Sequence, residues 1–358
     1  MALMATTELI RRLAAHRPVS AEIARVNAVT RELSAYLAGN GVFTAVEEVD
    51  GRLVLYAATT AAKQQEVLLN AHLDVVPAEE ATYAVREEDG WLLGRGTHDC
   101  LGNAALIANL LIRLNGKTRI GAIFSTDEEI GGHTTRFMVE HGFAASHLVL
   151  VLDGPGYAVA VAQKGILSVR LTAHGQACHA AEPWKGTNAI DLLLAGYAKL
   201  RERFPPVPAG DEWHDTMAAT IVQAGTVSNR IPETAEMVLN IRFTRAADDV
   251  RLAEEIRTIS GLEVSASTDC QPLLFSPEQP VLRRLVSFLG KQFGRDIAIQ
   301  RMNGATDARH FAALGVPVAM IGVPGRDAHG AGEALDLTGL AAYERVLETF
   351  LAERRWAR

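Results

Sequence analysis

The chain has 358 residues, 48 % of them hydrophobic and 22 % charged, with a formal net charge of −7. These values describe a folded globular protein long enough for two cores and exclude a disordered or low-complexity chain. The mild acidity and the lack of a long basic run argue against a nucleic-acid or anionic-membrane partner, and no run of about 18 apolar residues suggests a membrane span.

The N-terminus starts Met1-Ala2-Leu3-Met4 but soon reaches Glu8, Arg11 and Arg12, so it lacks the apolar stretch of a signal peptide. Helical spacing follows over 6–40, through Leu9, Ile10, Leu13 and Ala14, then Ile23, Val26, Val29 and Leu33. Gly39-Asn40-Gly41 closes that stretch as a C-cap and turn. Strands are expected at 42–48, 53–58 and 66–72, a helix at 102–114, a strand at 120–125, a helix at 134–141 and a strand at 148–152. This alternation predicts an α/β domain with a mixed sheet between helices.

After Gly165 the pattern changes. Residues 166–172 alternate as a half-buried strand, followed by a helix at 187–203, strands at 217–226 and 235–243, a helix at 247–258 and a strand at 261–268. The β-α-β-β-α-β order is that of a ferredoxin-like α+β insert. A helix at 279–293 and a strand at 316–321 then resume the α/β pattern. The expected organisation is a discontinuous catalytic domain, 1–165 and 274–358, interrupted by a smaller domain at 166–273. Cys100, Cys178 and Cys270 are odd in number and widely spaced, which suits a reducing compartment and a cytoplasmic protein.

Chemistry-bearing residues collect where apolar runs end. Val67-Leu68-Leu69 leads to His72-Leu73-Asp74, and 120–125 leads to Asp127-Glu128-Glu129. Charged and imidazole groups at the ends of buried strands are unfavourable unless paired, and a divalent cation is the simplest partner. Each piece alone has a plain alternative. His72 and Asp74 could be a satisfied structural pair, Asp99 a helix N-cap, Asp153 a turn residue before Gly154-Pro155-Gly156, and His329 an ordinary loop histidine. The adjacent Glu128 and Glu129 are the sharper signal. Two neighbouring carboxylates repel unless a cation intervenes, and metal-assisted hydrolysis needs one carboxylate to bind metal and another to move a proton.

Together, His72, Asp99, Glu129, Asp153 and His329 form a candidate ligand set of two imidazoles and three carboxylates. If Asp99 bridges, each of two ions receives three protein contacts and keeps an open position, as catalytic zinc requires. Mixed nitrogen and oxygen donors without thiolate suit Zn²⁺, with Co²⁺ or Mn²⁺ able to substitute.

At this point the sequence resembles the zinc-dependent deacylase and carboxypeptidase superfamily, which includes acetylornithine deacetylase, succinyl-diaminopimelate desuccinylase, aminoacylase, carnosinase and glutamate carboxypeptidase. The resemblance runs in order through His72-Leu73-Asp74-Val75-Val76-Pro77, Gly94-Arg95-Gly96 with Asp99, Asp127-Glu128-Glu129-Ile130-Gly131-Gly132 and Lys164-Gly165. It continues through His179-Ala180-Ala181-Glu182-Pro183, Asn229-Arg230-Ile231-Pro232, Thr306-Asp307-Ala308-Arg309 and His329. It implies a catalytic domain interrupted by a lid or dimerisation domain, in a homodimer binding two Zn²⁺ per chain. Asp99 then bridges, His72 and Asp153 hold one ion, and Glu129 and His329 hold the other. Glu128 is the general acid/base, and Asp74 supports His72. His179 stabilises the oxyanion in the partner subunit's site, and Asn229, Arg242 and Arg309 hold substrate. For Arg242 a surface salt bridge is an equal alternative.

One departure is the Cys100-Leu101-Gly102 segment, where relatives commonly carry Lys-Gly after the bridging Asp. Cys100 is read as structural, because the nitrogen and oxygen ligands already complete the set.

The function expected is dinuclear zinc amide hydrolysis of an N-acyl amino acid or short peptide. A dipeptidase or aminopeptidase of the same superfamily is the first alternative. A catalytically silent, metal-binding dimeric scaffold is the second, although a scaffold has no use for Glu128. A serine α/β-hydrolase is disfavoured because no Gly-x-Ser-x-Gly elbow occurs.

Overall fold

The computed structural model describes residues 3–208 and 210–353, which divide into two compact units. The first comprises 1–161, 275–300 and 306–358, and the second 162–274 and 301–305.

In the first unit, a mixed sheet takes its strands in the order Phe43–Val49, Arg52–Ala58, Ile120–Ser125, Gln64–His72, Ala144–Gly156, Val318–Gly322 and Ala158–Gln163. The four central strands, Ile120–Ser125 to Val318–Gly322, run parallel to one another. Parallel strands are covered on both faces, which explains their near-continuous apolar runs. Alternation then sorts the side chains. Val67, Leu69, Ala71, Leu148 and Leu150 join the main core with residues of the helices Thr6–Ala15, Ile23–Gly39, Leu101–Leu114 and Leu337–Ala352. Leu68, Ile123, Val149 and Val151 are equally buried outside that cluster.

The helical stretch expected over 6–40 is two helices, because Pro18 falls between them. Proline cannot supply the amide a helix needs and clashes with the preceding turn. Val19 instead forms a β-bridge with Val75, which brings Ser20 beside the segment after His72. The strand expected at 261–268 is Glu263–Cys270, since Gly261 closes the preceding helix in a left-handed conformation. Four short strands, Gly325–Arg326, Ala334–Asp336, Trp91–Leu93 and Arg86–Glu88, form a separate antiparallel sheet that no periodicity announces.

The second unit contains the strands Gly165–His174, Thr216–Ala224, Thr234–Phe243 and Glu263–Cys270 with the helices Ala189–Arg203 and Asp249–Ser260. The strand order is Thr216–Ala224, Thr234–Phe243, Gly165–His174, Glu263–Cys270, antiparallel throughout. This is the ferredoxin-like arrangement. The inward residues Leu167, Val169, Leu171, Leu239 and Ile241 pack with Leu193, Leu200, Leu252 and Ile256 of the helices.

Candidate metal centre

The central parallel strands of the first unit end at one edge of the sheet, where α/β folds place their ligands. His72 is the last residue of Gln64–His72 and pairs in register with Ser125, whose strand leads into Asp127-Glu128-Glu129. Asp153 lies in the next strand, just past the Val151 that pairs with Asn70. His329 follows Val318–Gly322, and Asp99 precedes Leu101–Leu114. Asp99 is not that helix's N-cap. Cys100 occupies the cap position without a side-chain bond, and the Asp99 carboxylate turns to the histidines instead.

His72 Nδ1 is 2.9 Å from the Asp74 carbonyl, to which it must donate. Its Nε2 faces Asp99 Oδ1, also at 2.9 Å. Asp99 Oδ2 lies 3.1 Å from His329 Nε2, which is 3.1 Å from Glu129 Oε1. One carboxylate thus faces both imidazoles. Ligand atoms of His72, Asp99 and Glu129 all lie within 4.8 Å of one another, as do those of His72, Cys100 and Asp153.

The electrostatics are those of a site short of positive charge. Burial, reinforced by Asp153, pushes the Glu128 carboxyl well above its usual range, and burial with Asp99 does the same to Asp153. Burial also raises Glu129, with Asp99 adding to the effect. Burial opposes ionisation of Asp99 as well, but hydrogen bonds to His329 and His72 outweigh it and hold Asp99 low. The Asp99 contact in turn raises His329 to about 9. Glu128 Oε1 is buried without a hydrogen-bond partner. Two imidazoles facing one carboxylate, a buried carboxylate oxygen without a hydrogen-bond partner and mutually repelling carboxylates fit a divalent cation.

Asp74, fully buried, holds the site's frame. It accepts from Ser20 Oγ at 2.7 Å and from the backbone amides of Glu128 and Glu129 at 3.1 and 3.3 Å. It therefore fixes the glutamate pair as well as His72. Ser20 is a site residue that sequence reasoning missed, and no local motif marks it. Arg309 is almost wholly buried, with Nη2 3.6 Å from Glu128 Oε1 and Nε donating to His310 Nε2 at 3.1 Å.

His179, Asn229 and Arg242 belong to the second unit. His179 pairs with Arg230 in a two-residue ladder, and its Nδ1 accepts from Ala181 N at 3.1 Å, which leaves the proton of a neutral ring on Nε2. The Asn229 carbonyl accepts from Ala180 N at 2.9 Å. Arg242 Nε donates to Asn240 Oδ1 at 2.9 Å.

The model of peptidase family M20/M25/M40 matches residues 68–353. The chain belongs to this family. Relatives include succinyl-diaminopimelate desuccinylases of Wolinella succinogenes, 26 % identical with 78 % of this chain and 82 % of that one covered, and of Paracoccus denitrificans, 28 % identical with 79 % and 82 % covered. The M20 family metallo-carboxypeptidase Sso-CP2 from Sulfolobus solfataricus superposes with a TM-score of 0.81 at 16 % identity, over 98 % of this chain and 99 % of that one. Aminopeptidase PepT from Bacillus cereus superposes with a TM-score of 0.79 at 17 % identity and the same coverage. These two superpositions show the shared fold. As an M20 member, the chain is a metal-dependent hydrolase of amide or peptide bonds. No described helix is long and apolar enough to cross a membrane.

Proposed function

We propose that this M20 protein is a dinuclear zinc amidohydrolase that removes the acyl group from an N-acyl amino acid or cleaves a short peptide with a free carboxylate. The observation that carries this reading is the buried Oε1 of Glu128, which has no hydrogen-bond partner, beside a set of facing imidazoles and carboxylates. His72 and Asp153 would hold one ion, Glu129 and His329 the other, and Asp99 both. The chemistry the ions supply when bound is Lewis acidity at the scissile carbonyl and acidification of water. Glu128 Oε1 takes the proton of the attacking water and returns it to the leaving amine nitrogen. Asp74 keeps the backbone of Glu128 and Glu129 from shifting between the two transfers. His179, through Nε2–H, would donate to the developing oxyanion. Asn229, Arg242 and Arg309 would hold the substrate, an arginine gripping its carboxylate with two parallel N–H bonds.

The reading includes a homodimer and a cytoplasmic location. Among the described residues Thr216–Ala224 is an edge strand of the second unit, paired only with Thr234–Phe243, and Ile221 and Val222 on it are 53 % and 63 % exposed. Such an edge is a template for a second copy. Cys100 and Cys178 are free thiols, which the cytoplasm keeps reduced.

The test is a panel of N-succinyl and N-acetyl amino acids and dipeptides, assayed with zinc-loaded protein. N-succinyl substrates are tried first, because succinyl-diaminopimelate desuccinylases are among the relatives. Release of a free amine from at least one class is expected. No release from any of them would contradict the proposal.

A further inference from the structure

A buried ion pair that the reaction scheme does not use lies behind two of the candidate metal ligands. Arg95 and Glu333 are 3 % and 1 % exposed, and Arg95 Nη1 bonds Glu333 Oε2. Burying two charges is costly unless the remaining donors and acceptors are satisfied; Arg95 Nε is buried without a hydrogen-bond partner, but the pair's other contacts are specific. Glu333 Oε1 accepts from the amides of His98 and Asp99, at 3.1 and 3.0 Å. Arg95 Nη2 donates to the carbonyls of His329 and Gly330, at 2.8 and 3.4 Å. The amide of Gly94 reaches the Glu333 carbonyl at 3.0 Å.

The pair therefore grips the main chain at both Asp99 and His329, which are 230 residues apart in sequence. His329 needs such a grip. It is a non-glycine residue with φ of 65°, a conformation that persists only where the surroundings enforce it. Its side chain is also 53 % exposed, so packing does little to hold it.

We propose that Arg95 and Glu333 are positioning residues that fix the Asp99–His329 spacing and so set the affinity for the ion held by Asp99, Glu129 and His329. The proposal rests on the dinuclear reading above. Neither side chain touches substrate. They act through the two backbones they hold, as partners behind metal ligands commonly do, with about 10–100-fold effects on metal affinity.

The test is a double-mutant cycle of Arg95→Met, Glu333→Gln and both together. Zinc is titrated calorimetrically into chelator-stripped protein, the Co²⁺ absorption spectrum is recorded per equivalent, and thermal unfolding of the metal-free forms is measured. Wild type is expected to take two ions. Each single variant should bind one of the two ions about 10–100-fold less tightly and lose the spectral change of that equivalent. The singles also leave a buried charge unpaired, so they should melt early. The double variant removes both charges. Its metal-free melting temperature should recover toward wild type while the lost affinity does not, because nothing then holds the His329 carbonyl.

Recovery of both would show a purely structural pair and overturn the proposal, as would wild-type affinity and spectra in the single variants. A single variant that fails to fold leaves the double to decide, since wild-type affinity there also overturns the proposal. Wild type taking only one ion would be a different failure, that of the dinuclear reading itself.

Discussion

Glu128 and Glu129 are neighbours in sequence with different surroundings. Glu129 Oε1 faces His329, whereas Glu128 Oε1 has no hydrogen-bond partner and lies 3.6 Å from the Arg309 guanidinium. On the proposed reading this difference divides metal binding from proton transfer. Glu128→Gln keeps the shape and removes the base, so kcat should fall by about 10²–10⁴-fold while zinc content measured by mass spectrometry stays at the wild-type level. Full turnover would contradict the role. The adjacent glutamates were visible in sequence because two carboxylates after an apolar strand form a local pattern. Ser20 and Glu333 were not. They act on residues 54 and 234 positions away, so only the folded chain shows what they hold.

At the scale of elements, parallel strands ending together explain why His72, Glu128, Glu129 and Asp153 converge from separate parts of the chain. Their apolar runs were long enough to read, and so were the helices flanking them. The short strands Trp91–Leu93 and Ala334–Asp336 were not, because three residues carry no period. Yet this ladder brings the Asp99 loop beside the His329 loop. The break at Pro18 was written in the sequence, but its consequence, Ser20 set against Asp74, depends on the Val19–Val75 bridge. Ser20→Ala removes one donor from a buried carboxylate. We expect a loss of about 1–3 kcal/mol in unfolding free energy, measured by denaturant titration, with Ser20→Thr recovering most of it. An unchanged midpoint would show that Asp74 does not depend on Ser20.

For the whole molecule, the charge arrangement predicts how stability varies with pH when metal is absent. His329 is raised from 6.5 to about 9, and Glu128 and Asp153 lie well above their ordinary 4.5 and 3.8. In each case the folded state holds its proton more tightly than the unfolded state. The stabilisation is therefore present at low pH and lost as pH rises, for His329 between 6.5 and about 9. Asp99, held low, has the opposite sign but acts below its ordinary 3.8. Chelator-stripped protein should melt at a lower temperature at pH 9 than at pH 6. Zinc should flatten or reverse that slope, because its ligands bind deprotonated. A metal-free melting temperature that rises over this range would refute the charge arrangement. At the same scale, Ile221→Lys with Val222→Lys places charge on the edge strand Thr216–Ala224. Light scattering should then report a dimer for wild type and a monomer for the variant, and a wild-type monomer would remove the dimer from the account.

The most direct test of the central claim is zinc reconstitution. Protein stripped by chelation is titrated with zinc, and metal per chain and amide hydrolysis are followed together on whichever substrate of the panel is cleaved. Turnover should be absent without metal and should saturate at two ions per chain. Undiminished turnover in stripped protein, or full activity at a single ion, would contradict the claim.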